Sequence, residues 1–121
     1  TKRSRSRSLS LDMSDILNSI KKIKKYTANL TYENLCENDQ TLDAVVHNLL
    51  IIGEATKQIP NSVRFKYSQI EWKQIAGLRD VIAHSYFSIN SKIVWDIIQT
   101  KLDPLQSCVK QILETEDLEN Y

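Results

Sequence analysis

The stretch LDAVVHNLLIIGEATKQIP, residues 42–60, decides the fold of this 121-residue chain. Its apolar residues recur at intervals of three and four, which is the period of one helix face and not the alternation of a strand. They are Leu42, Val45, Val46, Leu49, Leu50 and Ile52. We predict a helix from about Leu42 to Gln58, ended by Pro60. Gly53 inside it predicts close packing of another helix, and Glu54 needs a partner if it is buried.

Three other segments show the same spacing of apolar residues. The first covers residues 11–26, and the second begins near Glu71 and weakens around 85–90. The third runs from Ser91 to Leu113 with Pro104 in its middle. A proline inside a helix removes a hydrogen bond and clashes with the preceding turn, so we expect a kink or a restart at Pro104.

The scarcity of turn residues supports a helical fold. The chain has two glycines and two prolines, too few for a β protein with its frequent turns. Short helical turns are expected over 32–36 and 61–67. We therefore predict an all-α fold, an up-down bundle of four main helices plus short helical turns.

The charges divide the chain unevenly. Residues 1–10 contain Lys2, Arg3, Arg5 and Arg7 and no acid, which leaves 12 basic against 15 acidic residues in 11–121, a net charge of −3. The folded part is therefore not a globally basic nucleic-acid binder. We expect a basic disordered arm, or a remnant of an added sequence, over 1–8, one helical domain over 9–115 and an acidic tail over 116–121.

The sequence predicts a cytoplasmic protein without a membrane span. No run of 18 apolar residues occurs, and no apolar region follows the charged start as in a signal peptide. The two cysteines, Cys36 and Cys108, are far apart in sequence and are interpreted as reduced thiols.

The segment GLRDVIAHSY, residues 77–86, contains the candidate site. His84 can accept and return a proton near neutral pH, and Asp80, four residues before it, would hold its tautomer. Arg79 offers a planar fork of donors to a phosphate. Together these residue types fit cleavage of an RNA phosphodiester by its own 2′-hydroxyl, with Arg79 stabilising the charge on phosphorus.

The same spacing has a simpler interpretation, which stays open. Histidine and arginine suit the end of a helix, and Asp80–His84 could be an ordinary pair one turn apart. The only other histidine, His47, lies among apolar residues and is expected to be structural or at a helix edge. We expect no metal site, because two histidines without nearby thiolates lack zinc-site spacing, and no cofactor, because no glycine-rich phosphate loop occurs.

One histidine per chain is few for a reaction that needs both a base and an acid. A homodimer that brings two copies of His84 and Arg79 to one groove would supply both. The hypothesis rests on this count alone.

The motif and its flanks resemble the HEPN superfamily, in its HepT-like branch. Arg79, four residues, His84, one residue and Tyr86 match the superfamily signature. The segments AVVHNLLIIGEATKQIP at 44–60, IEWKQIAGLRDVIAHSYFSIN at 70–90 and IVWDIIQTKLDPL at 93–105 resemble the branch in the same order. The likeness covers roughly residues 9–113.

The resemblance implies a helical homodimer that is the ribonuclease toxin of a type VII-like toxin–antitoxin module. Cleavage of RNA in the family is metal-independent, with roles that match Arg79 and His84, and Asp80 matches the family's usual RD pair. Tyr86 corresponds to the tyrosine that receives AMP from the antitoxin, a minimal nucleotidyltransferase of the MntA type. The alternative is a non-catalytic HEPN dimer that docks this nucleotidyltransferase; a nucleotide-binding subunit has less support.

Overall fold

The computed structural model describes residues 8–83 and 91–118, and within these ranges it contains eight helices and no strand. The helices are α1 Leu9–Thr27, α2 Tyr32–Glu37, α3 Asp39–Lys57, α4 Asn61–Lys66, α5 Trp72–Ala76, α6 Leu78–Ala83, α7 Ser91–Thr100 and α8 Leu102–Thr115. The predicted all-α fold is confirmed, including the short helices near 32–36 and 61–67. No helix in the described ranges is both long and apolar enough to cross a membrane.

The centre of the bundle is the packing of α1 against α3, and α8 also packs on α1. Each helix buries residues spaced three and four apart, as the sequence predicts. The fully buried ones include Ile16, Ile20 and Ile23 of α1, Val45, Leu49 and Ile52 of α3, and Val109 and Ile112 of α8. Each such side chain contributes about 1.5–3 kcal/mol by leaving water, so this contiguous core stabilises the bundle.

Polar side chains fix where the first three helices begin. The Ser8 hydroxyl accepts a hydrogen bond from the Leu11 amide at 3.1 Å, and the Asn38 side chain accepts one from the Thr41 amide at 3.0 Å. Thr31 and Asn34 form a reciprocal capping box at the start of α2. These bonds satisfy amides that have no partner inside the helix.

The last predicted helix restarts, as expected from Pro104. The break between α7 and α8 lies at Lys101, three residues before the proline. Pro104 cannot donate a backbone hydrogen bond, and its ring would clash with the carbonyl of Thr100 in a continuous helix. The Lys101 side chain bonds Glu71 at 2.8 Å and so ties this break to the start of α5.

The helix predicted from Glu71 through the motif is wrong as one continuous element, because it is interrupted at Gly77. The Gly77 amide donates to the carbonyls of Lys73 and Gln74, which closes α5. The amides of Asp80 and Val81 then donate to the Gly77 carbonyl at 3.0 and 3.2 Å, which opens α6. The first part of the motif therefore lies on a short helix of its own.

The start of the predicted acidic tail is packed against the domain. The Tyr67 hydroxyl donates to Glu116 at 2.6 Å, and the Lys66 ammonium lies 2.8 Å from the same carboxylate oxygen. The Glu116 side chain is only 5% exposed. This contact holds the end of α8 against the segment that follows α4.

Candidate functional site

The first turn of α6 carries the two motif residues that the structure describes. Leu78 and Ile82 of this helix are buried, whereas Arg79, Asp80 and Val81 between them are exposed. Since residues three and four apart share a helix face, α6 is anchored by its apolar pair and turns the polar residues outward. The motif thus begins on a surface that a ligand can reach.

The other two predicted site residues, His84 and Tyr86, lie outside the described residues. The distances from Arg79 and Asp80 to them are therefore not part of the described geometry. Convergence of the four side chains stays a prediction from the sequence.

The position of α6 depends on a close approach to α3 at Gly53. A Cβ atom at Gly53 would lie 3.4 Å from the Ile75 carbonyl oxygen and 3.6 Å from the Leu78 Cβ. These are ordinary contacts for a methyl group but leave no room for a larger side chain. The predicted packing across Gly53 is confirmed, and it sets the break between α5 and α6 directly on α3.

This approach places Glu54 beside Arg79. Arg79 Nη1 donates to Glu54 Oε1 at 3.2 Å, and Lys57 Nζ lies 3.5 Å from the same oxygen. The hydrogen bond from Arg79, followed by the charge of Lys57, holds the pKa of Glu54 below its usual range. Both partners stay open to water, with 65% of the Arg79 side chain and 49% of the Glu54 side chain exposed.

Glu54 is the residue that the sequence interpretation did not assign to the site. The sequence predicted a partner for Glu54 only if it were buried, and the structure shows a half-exposed carboxylate with two cationic partners. Its position next to Gly53 was the available signal, because the glycine marks where another element comes close to α3.

An apolar groove lies at the α5–α6 break and is also lined by α7. Its cavity has a volume of about 290 Å³ and is lined by Gln74, Ile75, Gly77, Leu78, Val81, Ile93, Ile97 and Lys101. Val81 is 43% exposed, unusual for a valine in a bundle. The groove therefore places apolar surface within two residues of Arg79.

Neither the Glu54–Arg79 pair nor the residues lining the groove include the other histidine, Trp95 or the two cysteines. His47 is exposed on α3, as expected for an edge residue. Trp95 packs its ring against Tyr32, with the ring centroids 6.1 Å apart. Cys36 is exposed and Cys108 is buried, and both are free thiols. In the described ranges, no three histidine, cysteine or acidic side chains are grouped as metal ligands.

The described residues form an all-α bundle in which the motif begins on a short helix with exposed polar residues. This is the fold class that the sequence resemblance implies. The model of the family described as "Ribonuclease HepT-like" matches residues 16–112. The chain belongs to this HepT-like ribonuclease family, which confirms the resemblance seen in the sequence. No solved structure matches the chain.

Relatives from both archaea and bacteria support this assignment. The chain is 41% identical over 88 residues to "Putative RNase MJ0127" of Methanocaldococcus jannaschii, covering 73% of each chain. It is 39% identical over 87 residues to "Putative RNase TTE0752" of Caldanaerobacter subterraneus, covering 72% of this chain and 78% of the relative. It is 31% identical over 94 residues to "Probable ribonuclease HepT" of Thermococcus cleftensis, covering 78% and 86% respectively.

Proposed function

We propose that this chain is a cytoplasmic, metal-independent endoribonuclease, the toxin of a two-gene module, and that it acts as a homodimer. The observation that carries the proposal is the exposed Arg79 on α6, fixed by packing at Gly53 and aimed away from the core. Membership of the HepT-like ribonuclease family supports RNA as the substrate. A guanidinium in this position can bind a phosphate through two parallel hydrogen bonds.

The chemistry follows from the residue types in the motif. His84 takes the proton of the RNA 2′-hydroxyl, and the 2′-oxygen forms a bond to phosphorus. The bond from phosphorus to the 5′-oxygen breaks, and that oxygen takes a proton from the His84 of the second copy. The products are a 2′,3′-cyclic phosphate and a 5′-hydroxyl. Arg79 stabilises the negative charge that builds on the phosphoryl oxygens, and Asp80 supports the imidazolium form of His84.

The apolar surface beside α6 supports the dimer. Val81 and the groove behind it lie next to the motif, so a second copy packed here would bring two motifs to one cleft. Burial of exposed apolar surface is the usual driving force for such an association. A monomer that is fully active in sedimentation and activity measurements would contradict this part of the proposal.

Neutralisation is proposed to occur at Tyr86. The partner nucleotidyltransferase of the MntA type would transfer AMP from ATP, with the tyrosine oxygen forming a bond to the α-phosphorus, pyrophosphate leaving and the phenol proton passing to a base. The added phosphate would place negative charge two residues from His84 and repel the RNA backbone. Intact mass after incubation with the partner and ATP should show AMP-sized increments that vanish in Tyr86→Phe and persist in Tyr26→Phe.

The cleavage test compares both motif residues with a matched control. Arg79→Ala and His84→Ala should each lower cleavage of RNA in the presence of EDTA by about 100-fold or more, because each removes a group acting on the transition state. His47→Ala removes the chain's other histidine and should retain activity. All variants should dimerise like the wild type. If Arg79→Ala and His84→Ala cleave RNA as the wild type does, the chain is instead a docking partner of the nucleotidyltransferase.

A further inference from the structure

The ion pair between α3 and α6 joins a motif residue to one outside the motif. Glu54 and Arg79 are 25 residues apart in sequence, yet Arg79 Nη1 lies 3.2 Å from Glu54 Oε1. Glu54 follows the only glycine of α3, at the point where α3 meets the α5–α6 break. The contact therefore arises from the tertiary packing that also sets the place of α6.

The short helix α6 does little by itself to restrict the orientation of the Arg79 side chain. α6 has six residues and is separated from α5 by Gly77, so its first turn is held mainly by Leu78 and Ile82. The Arg79 side chain is largely exposed, and an exposed arginine samples many rotamers. An acceptor on the longer, well-packed α3 limits the orientations that the guanidinium samples.

We infer that Glu54 is a positioning residue that orients the Arg79 guanidinium for the RNA phosphate; this inference rests on the proposed function. One N–H of Arg79 is used by Glu54, and a guanidinium has five, so enough donors remain for a phosphate. The carboxylate accepts from Nη1, and 65% of the Arg79 side chain stays exposed, so a phosphate can still reach it. Glu54 acts through Arg79 and does not itself touch the substrate.

Lys57 adds a second positive charge beside the Glu54–Arg79 pair. It lies one turn after Glu54 on α3 and shares the same carboxylate oxygen, at 3.5 Å. The group of Glu54, Lys57 and Arg79 therefore carries one net positive charge, so the Glu54 carboxylate does not neutralise both of the cations beside it. The depressed pKa of Glu54 agrees with this, since the carboxylate stays ionised between two cations.

The experiment measures kcat and KM for RNA cleavage by the wild type, Glu54→Gln, Arg79→Ala and the double variant. Glu54→Gln should lower kcat by about tenfold while KM changes less than about twofold, because misorientation of a bound group affects the reaction more than binding. In the Arg79→Ala background, Glu54→Gln should have no further effect, because the residue it orients is gone.

A matched control is available at Glu71, a similarly exposed carboxylate in an ion pair with Lys101, outside the motif. Glu71→Gln should leave kcat and KM unchanged. Thermal midpoints of Glu54→Gln and Glu71→Gln should match the wild type, since exposed ion pairs add little stability.

The outcomes separate this inference from the proposed function. If Arg79→Ala cleaves RNA normally, the proposed function fails at Arg79. If Arg79→Ala is inactive but Glu54→Gln is as active as the wild type, the positioning role is overturned. It is also overturned if Glu54→Gln lowers KM and raises activity, which would make Glu54 a competitor of the phosphate. An equal loss in both backgrounds overturns it as well, because Glu54 would then act independently of Arg79.

Discussion

The contact between Tyr67 and Glu116 gives a sharp test of how the end of the chain is held. The Tyr67 hydroxyl donates to a carboxylate oxygen at 2.6 Å, and the Glu116 side chain is almost fully buried. A hydrogen bond to a charged group contributes about 1.5–3 kcal/mol to the free energy of unfolding, and a buried acceptor that loses this bond destabilises the fold. Lys66 remains 2.8 Å from the same oxygen in Tyr67→Phe, so we expect the lower end, about 1.5 kcal/mol.

Urea unfolding followed by far-UV circular dichroism at pH 7 measures this loss. With a denaturant slope of about 1.5 kcal/mol per molar, the midpoint of Tyr67→Phe should fall by about 1 M. Protein concentration must be held constant, because association would shift the midpoint. Tyr26→Phe changes a tyrosine that is 39% exposed and should stay within about 0.5 kcal/mol of the wild type. A midpoint of Tyr67→Phe equal to that of Tyr26→Phe would refute the role of the contact.

The same contact has a pH dependence with a definite sign. Burial, followed by the bond to Glu116, raises the pKa of Tyr67 above its usual value. A raised folded pKa means that the stabilisation is fully present below the unfolded pKa of about 10 and is lost as pH rises through the folded pKa. The stability difference between the wild type and Tyr67→Phe should therefore shrink above about pH 10. A difference that is constant from pH 7 to 11 would contradict this.

Two further predictions concern the thiols and Gly53. A thiol reagent at pH 8 should modify Cys36 in the folded protein and reach Cys108 only in urea, because Cys108 is buried and its pKa is raised to about 11. Equal rates of modification of the two thiols in the folded protein would refute this. Gly53→Ala should keep or raise the thermal midpoint, because its methyl group fits and alanine gains up to about 1 kcal/mol of helix propensity. Gly53→Leu should lower the free energy of unfolding by about 1–3 kcal/mol through overpacking, and it should lower RNA cleavage by displacing α6. Unchanged unfolding and cleavage would contradict the close approach.

Much of the fold follows from local pattern. The spacing of apolar residues predicted α1 and α3 to within a few residues, because a helix repeats every 3.6 residues wherever it lies. Pro104 predicted the restart before α8, since its effect acts within one turn. Gly53 predicted close packing, although not with which element. The motif residues were selected by their chemistry, which also fits a structural role, and by the resemblance to a known family; their roles stay a prediction.

Other features were decided only by the tertiary structure. The adjacent Gly53 is a local signal at Glu54, but it does not name the partner, which is Arg79 at 3.2 Å because α3 and α6 meet across Gly53. The sequence predicts that Glu116 belongs to an acidic tail, yet its side chain is buried because α8 ends beside Tyr67 and Lys66. The α5–α6 junction at Gly77 likewise packs against α3, a contact between residues distant in sequence. Periodicity is a property of neighbours in sequence and so determined the helices, whereas polar contacts between distant residues depend on how those helices pack.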